Sequence, residues 1–172
     1  MIELLRIRRS IRRFEDRPVA PDLVAILEEA VLRSPSGKGT NPWEFVFVVD
    51  REILEALSRA RPHGSSFLRH ATLAVVVCGD EARSDTWIED CSIAAIVTHL
   101  TAASLGLGSC WNQIRMREHG GGGSADSYVR ETLGIPDHLR VEAIIGIGYP
   151  ADARPGHPRE SLNTAKIHHN RY

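Results

Sequence analysis

Thr86-Trp-Ile-Glu-Asp-Cys-Ser-Ile-Ala-Ala-Ile-Val-Thr-His-Leu-Thr-Ala-Ala-Ser-Leu105 is the stretch that decides how this chain is assembled. Its apolar and small residues, among them Trp87, Ile88, Cys91, Ile93, Ala94, Ile96, Val97 and Leu100, fall on almost every side of a helix. Such a helix needs cover all round. One small domain can hardly supply that cover, so a subunit interface is expected here.

Working outward, Trp43 to Val49 and Ala71 to Cys78 are short, β-branched, nearly continuous apolar runs, the pattern of strands buried on both faces. Arg51 to Ala60 between them reads as a helix. So do Ile2 to Arg8 and Asp22 to Arg33, the latter with Leu23, Ile26, Leu27, Ala30 and Val31 at helical spacing and Pro21 and Asp22 as start signals. Ser34 to Pro42 is dense in breakers and reads as a loop. On the other side, Ser109 to Ile114 predicts a strand and Gly120 to Gly123 a mobile loop. Ser124 predicts the cap of a helix stopped by Gly134 and Pro136, and Val141 to Tyr149 the last strand. Residues 1–172 read as a single domain, with 150–172 as an arm lying over a partner subunit.

Composition excludes several classes. The chain has 172 residues, 42% hydrophobic and 25% charged, a balance that places it among globular domains. With 21 Lys and Arg against 22 Asp and Glu, no global field draws it to nucleic acid or anionic lipid. Any basic site must be local. Cys78, Cys91 and Cys110 make an odd set with no CxxC pair, so zinc and redox-pair readings lack support and a reduced, cytoplasmic setting is expected. Nothing reads as a signal peptide or a membrane span. No histidine pairing suggests a metal.

The most informative local feature is Arg6, Arg8, Arg9, Arg12 and Arg13, interleaved with Ile7, Ile11 and Phe14 and centred on Ser10. In an extended segment, Arg8, Ser10 and Arg12 sit at alternate positions and can converge on one anion, where guanidinium forks match phosphate oxygens. A solvated basic stretch or a nucleic-acid arm is the competing reading. Gly37-Lys-Gly-Thr40 lacks the spacing of a P-loop, and Gly106-Leu-Gly108 follows a helix and lacks the third glycine of a dinucleotide loop. Cys110 has no visible base and reads as core. Asp90 and His99 are either catalytic or satisfied polar contacts at a subunit interface.

These pieces in this order resemble the nitroreductase family of FMN-dependent oxidoreductases. Arg8-Arg-Ser-Ile-Arg-Arg-Phe14 is similar to the family's phosphate motif and Ser34-Pro-Ser-Gly-Lys-Gly-Thr-Asn-Pro-Trp43 to its flavin loop. Asp90 with Ala94 and Ala95, Leu105-Gly-Leu-Gly-Ser-Cys-Trp111, Leu133-Gly-Ile-Pro136 and Gly146-Ile-Gly-Tyr-Pro150 continue the match.

The resemblance implies an α+β fold with a central mixed β-sheet flanked by helices, in an intertwined homodimer with FMN at the subunit interface. Arg8, Arg9, Ser10 and Arg12, with Arg159 from the arm, would hold the phosphate and ribityl chain. Pro35, Ser36, Gly37 and Asn41 would line the ring, and Gln113 and Ile114 would approach it from the other subunit through backbone groups. The activity implied is hydride transfer from NADH or NADPH through flavin to a nitroaromatic, quinone or similar small acceptor by a ping-pong mechanism. No general acid is identified. Two departures stand out. Gly39 and Asn41 replace the family's usual Asn and Gln, and four glycines at 120–123 stand where larger members build a covering helix. The alternatives are a reductive dehalogenase-like or flavin-modifying member, for which 172 residues leave little extra chain, and a non-enzymatic phosphate- or nucleic-acid-binding protein.

Overall fold

The computed structural model describes residues 1–152 and 154–172. In chain order its elements are α1 (Ile2–Ile7), α2 (Pro21–Leu32), β1 (Trp43–Val48), α3 (Arg51–Leu57), β2 (Leu73–Asp80), α4 (Trp87–Ser104), β3 (Gly108–Gln113), α5 (Ala125–Leu133) and β4 (Leu139–Gly148). The four strands form one sheet in the order β1-β2-β4-β3, antiparallel at every step. The parallel component of the expected mixed sheet is confined to an isolated bridge, Ser10 to Ser109, outside the four strands.

The period-2 alternation of the two central strands builds the core in two layers. Leu73, Val75 and Val77 of β2 and Ile145 and Ile147 of β4 point to one face, where Leu27 of α2 and Cys91, Ala94, Ala95 and Ala102 of α4 cover them. Val76 and Cys78 of β2, with Val141 and Ile144 of β4, point to the other, against Leu54 and Leu57 of α3 and Val129 of α5. Fold class is therefore α+β with helices on both faces of the sheet. Helix ends follow local chemistry. Asp50 caps α3 by accepting from the Glu52 and Ile53 amides, Ser124 caps α5 by accepting from the Ser127 amide, and Gly134 ends α5 in the left-handed conformation.

One strand differs from expectation. β1 is not buried on both faces: it pairs only with β2, Glu44 is exposed, and Phe45, Val46 and Phe47 are half-buried. An apolar run has the same composition at the edge of a sheet as at its centre, so the neighbour count was not readable locally.

At the opposite edge the chain covers itself. Ile11 donates its amide to the Ser109 carbonyl at 2.9 Å, Glu15 to Tyr149 at 2.9 Å, and Ala151 to Arg13 at 3.0 Å, so residues 10–15 lie along the start of β3 and the exit of β4. Ile11 and Phe14 are buried there against glycines. A Cβ on Gly108 would fall 2.9 Å from the branch carbons of Ile11, and one on Gly148 would fall 3.0 Å from the Phe14 ring. A β-branched side chain cannot swing clear. Gly108→Ala should therefore cost about 1–3 kcal/mol of stability in urea unfolding, the usual penalty of overpacking, whereas wild-type stability would mean that this contact does not hold the segment.

Candidate functional site

With residues 10–15 tethered to the sheet, the five arginines meet different surroundings. Arg13 lies 3.8 Å from Asp152, Arg9 donates to the Pro155 carbonyl at 2.6 Å, and Arg6 pairs with Glu3 within α1. Arg8 and Arg12 differ: among the described residues neither has a carboxylate within ion-pair distance. Together with the Ser10 hydroxyl they act on the same neighbour, the Cys110 thiol. Burial pushes that thiol up, and Arg12, Ser10 and Arg8 oppose it in that order. Two uncompensated guanidinium groups and a hydroxyl on one side of an extended segment are an anion site without an anion of its own. Arg9 shares with Arg8 and Arg154 the wall of a neighbouring cavity of about 240 Å³.

The loop before β1 is organised around one buried carboxylate. Asp90, 2% exposed on α4, accepts from the Gly37 amide at 2.8 Å through Oδ1. Its Oδ2 accepts from the Thr86 hydroxyl at 3.2 Å and the Ser84 hydroxyl at 3.4 Å. Only glycine fits at position 37, where a Cβ would fall 2.5 Å from the Thr86 oxygen. The loop then turns through three left-handed residues, Lys38, Gly39 and Asn41, and Ser36 closes it by donating to the Asn41 side chain at 2.7 Å and accepting the Asn41 amide at 2.9 Å. Asp90 is thus satisfied within its own chain. Pro35 and Asn41 are exposed; Ser36 and Gly37 are half-buried.

At the far end of β3, Gln113 is committed to its own chain. Its Oε1 accepts from the Trp111 indole at 2.9 Å, and its Nε2 donates to Glu142 Oε1 at 3.2 Å. Glu142 is 4% exposed on β4, and burial raises its pKa against the pull of Gln113 and Arg115. The Ile114 side chain is fully buried, and its amide donates to the Glu142 carbonyl at 3.2 Å. The Gln113 carbonyl accepts from Arg61 Nη1 at 3.2 Å. Arg61 and Glu142 were not singled out in the sequence, although a glutamate inside the apolar run of β4 is a signal that can be read. Arg159 stands apart, in an exposed turn at Arg159–Ser161 that, among the described residues, makes no ion pair with the N-terminal arginines.

The glycines at 120–123 belong to a short closed turn. His119 donates to Gly123 at 3.0 Å, Gly122 to His119 at 3.1 Å and Ala125 to Arg117 at 2.8 Å, while the His119 ring stacks on Tyr128. On α4, Ile93 and Ile96 remain 38% and 42% exposed, and Ile2, Leu5 and Ile7 of α1 and Leu162 and Ile167 of the arm are exposed as well. The chain thus leaves a strip of its central helix uncovered. No helix among the described residues is long and apolar enough to cross a membrane.

His99, also on α4, bonds Ser109 Oγ through Nδ1 at 2.7 Å, stacks on Trp111, and is pushed down to about 4 by burial and by Arg8. It is therefore neutral near pH 7 and not a ready proton donor. Because it binds fewer protons folded than unfolded, its contribution to stability is complete above pH 6.5 and falls as pH drops from 6.5 towards 4. His99→Gln should flatten that part of the stability–pH curve in urea titrations, and an unchanged slope would assign the dependence to other groups.

The family model described as "Nitroreductase family" matches residues 5–63 and 57–149. The fold superposes on an FMN-dependent nitroreductase from Clostridium difficile R20291 with a TM-score of 0.97 and 42% identity over all of both chains. A Methanothermobacter thermautotrophicus protein named "Putative NADH dehydrogenase/NAD(P)H nitroreductase" is 34% identical over 171 residues, 98% of this chain and 85% of that protein. An iodotyrosine deiodinase from Thermotoga neapolitana is 25% identical over 178 residues, 94% of this chain and 95% of that protein.

Proposed function

Because the chain belongs to the nitroreductase family, we propose that it is an FMN-dependent oxidoreductase that oxidises NADH or NADPH. Its acceptors are small molecules such as nitroaromatics or quinones, reached by a ping-pong mechanism. The observation that carries this reading is the pair Arg8 and Arg12, which among the described residues have no carboxylate partner and flank Ser10 in the N-terminal segment. A phosphate monoester supplies the charge that this arrangement lacks.

The residues fit the cofactor. Arg8, Ser10 and Arg12 hold the phosphate, with Arg9 beside them and Arg159 brought in from the arm. The loop around Pro35, Ser36, Gly37 and Asn41 lies against the ring, its shape held by Asp90. The far end of β3, at Gln113 and Ile114, approaches from the other subunit. FMN held there would supply the hydride-transfer chemistry between nicotinamide and acceptor, while the chain's residues supply position, access and electrostatics. The chain assembles as a homodimer with the flavin site at the interface. The uncovered Ile93 and Ile96 support this, as does the 240 Å³ cavity beside Arg8, too small for a flavin within one chain. Residues 1–172 act as one domain with 150–172 as the arm, and the three free, buried cysteines suit a cytoplasmic setting.

Reductive dehalogenation is the second reading, favoured by the likeness to the Thermotoga deiodinase. Length does not count against it, since that match spans 95% of a protein of similar size.

Anaerobic absorption spectroscopy tests the reading. The purified protein should carry or take up FMN, NADH or NADPH should bleach the visible band, and a quinone or nitroaromatic should restore it. Restoration by a halogenated aromatic alone would favour the second reading, and a chain that takes up no FMN would overturn both. Arg8→Ala and Arg12→Ala should each weaken FMN retention by about tenfold, the worth of one charge-assisted contact. Equal retention in both variants would remove the phosphate assignment.

A further inference from the structure

A second pair of unpaired arginines faces a cavity beyond the end of β3. Arg61, Pro62, His63, Met116, Arg117 and Glu118 line an open cleft of about 360 Å³, within the roughly 300–1,000 Å³ of small-ligand sites. Arg61 is half-buried and anchored by one guanidinium nitrogen to the Gln113 carbonyl, 3.2 Å away. Burial, then the charge of Arg117, lowers its pKa, and both arginines line the cleft. Neighbouring arginines are compensated. Arg59 pairs with Glu55 at 3.2 Å, and Arg115 lies 3.9 Å from Glu142. Among the described residues neither Arg61 nor Arg117 has a carboxylate within ion-pair distance, and Glu118, on the same wall, reaches neither.

We propose that this cavity receives the anionic group of the electron acceptor, so that aromatic acceptors carrying a carboxylate are preferred over neutral ones of the same shape. The placement rests on the proposed function, which puts the flavin ring at Gln113 and Ile114; the Arg61 hydrogen bond to Gln113 joins the cavity to that position. A carboxylate between two guanidinium groups relieves their repulsion and gains charge-assisted hydrogen bonds, whereas a neutral amide of equal size gains neither. Pro62 and the Met116 side chain, 81% exposed, offer apolar surface for a ring.

Calorimetric titration of the protein, as purified with its flavin, uses two unreactive probes of matched shape, benzoate and benzamide. Benzoate should bind about tenfold more tightly than benzamide and lose affinity with added salt. Arg117→Gln, at an exposed position, should remove about tenfold of benzoate affinity, leave benzamide binding and flavin content unchanged, and lower kcat/KM for 4-nitrobenzoate but not for 4-nitrobenzamide. Arg117→Lys should recover part of the loss, and Arg59→Gln should have no effect. Equal affinity for the two probes, no binding of either, or undiminished benzoate binding in both Arg117→Gln and Arg61→Gln would overturn the proposal. So would a loss confined to NADPH, with benzoate and NADH unaffected, which would assign the cavity to the dinucleotide's phosphate. A protein without flavin would fail the proposed function, yet the comparison of benzoate with benzamide would still read the cavity.

Discussion

The seating of Ile11 and Phe14 on two glycines, Gly108 and Gly148, is the constraint on which the rest of the site depends. These side chains draw the N-terminal segment down onto the start of β3 and the exit of β4, where backbone hydrogen bonds at Ser109, Tyr149 and Arg13 hold it extended. The arginines then meet different partners, Arg6 pairing with Glu3 within α1. Arg9 and Arg13 meet the chain beyond β4 at Pro155 and Asp152, while Arg8 and Arg12, like Ser10, act on the Cys110 thiol and have no carboxylate partner among the described residues. The proposed anion site thus rests on apolar packing: without Ile11 and Phe14 the same charges would spread apart in solvent.

Helix α4 ties this site to the other candidate regions. Its first turn carries Asp90, whose two oxygens organise the loop at Gly37. Its second half carries His99, bonded to Ser109 beside the arginine segment, and its outer strip carries Ile93 and Ile96. One rigid element thus positions the arginine segment, the loop at Gly37 and the surface proposed to meet a second subunit. β3 adds the third region, with the Trp111–Gln113–Glu142 chain of hydrogen bonds holding its far end. Arg61 extends that end towards the cavity proposed for the acceptor's charge.

Much of the fold was legible because it is periodic. α2 and α4 show helical spacing, β2 and β4 show apolar runs, and Ser124 and Gly134 mark the ends of α5. The alternation of Arg8, Ser10 and Arg12 was legible for the same reason. What escaped were relations between distant residues. The edge position of β1 depends on which strands flank it. Asp90 meets Gly37 across 53 positions, Arg61 meets Gln113 across 52 and Gln113 meets Glu142 across 29. No local pattern encodes such pairs. Asp90 and His99, left open between catalysis and a subunit contact, prove to be satisfied by their own chain. The Gln113 amide and the Ile114 N–H are used within the chain by Glu142, a relation that no local pattern around β3 encodes.

The central claim is that Arg8, Ser10 and Arg12 form a site for the phosphate of a flavin mononucleotide. It is tested most directly by comparing the affinity of the flavin-free protein for FMN and for riboflavin, which share the ring and differ in the phosphate. Two charge-assisted contacts predict FMN to bind about a hundredfold more tightly, with the gap shrinking as salt is added. Equal affinities for the two flavins would contradict the claim and leave the arginines without a role in holding the cofactor.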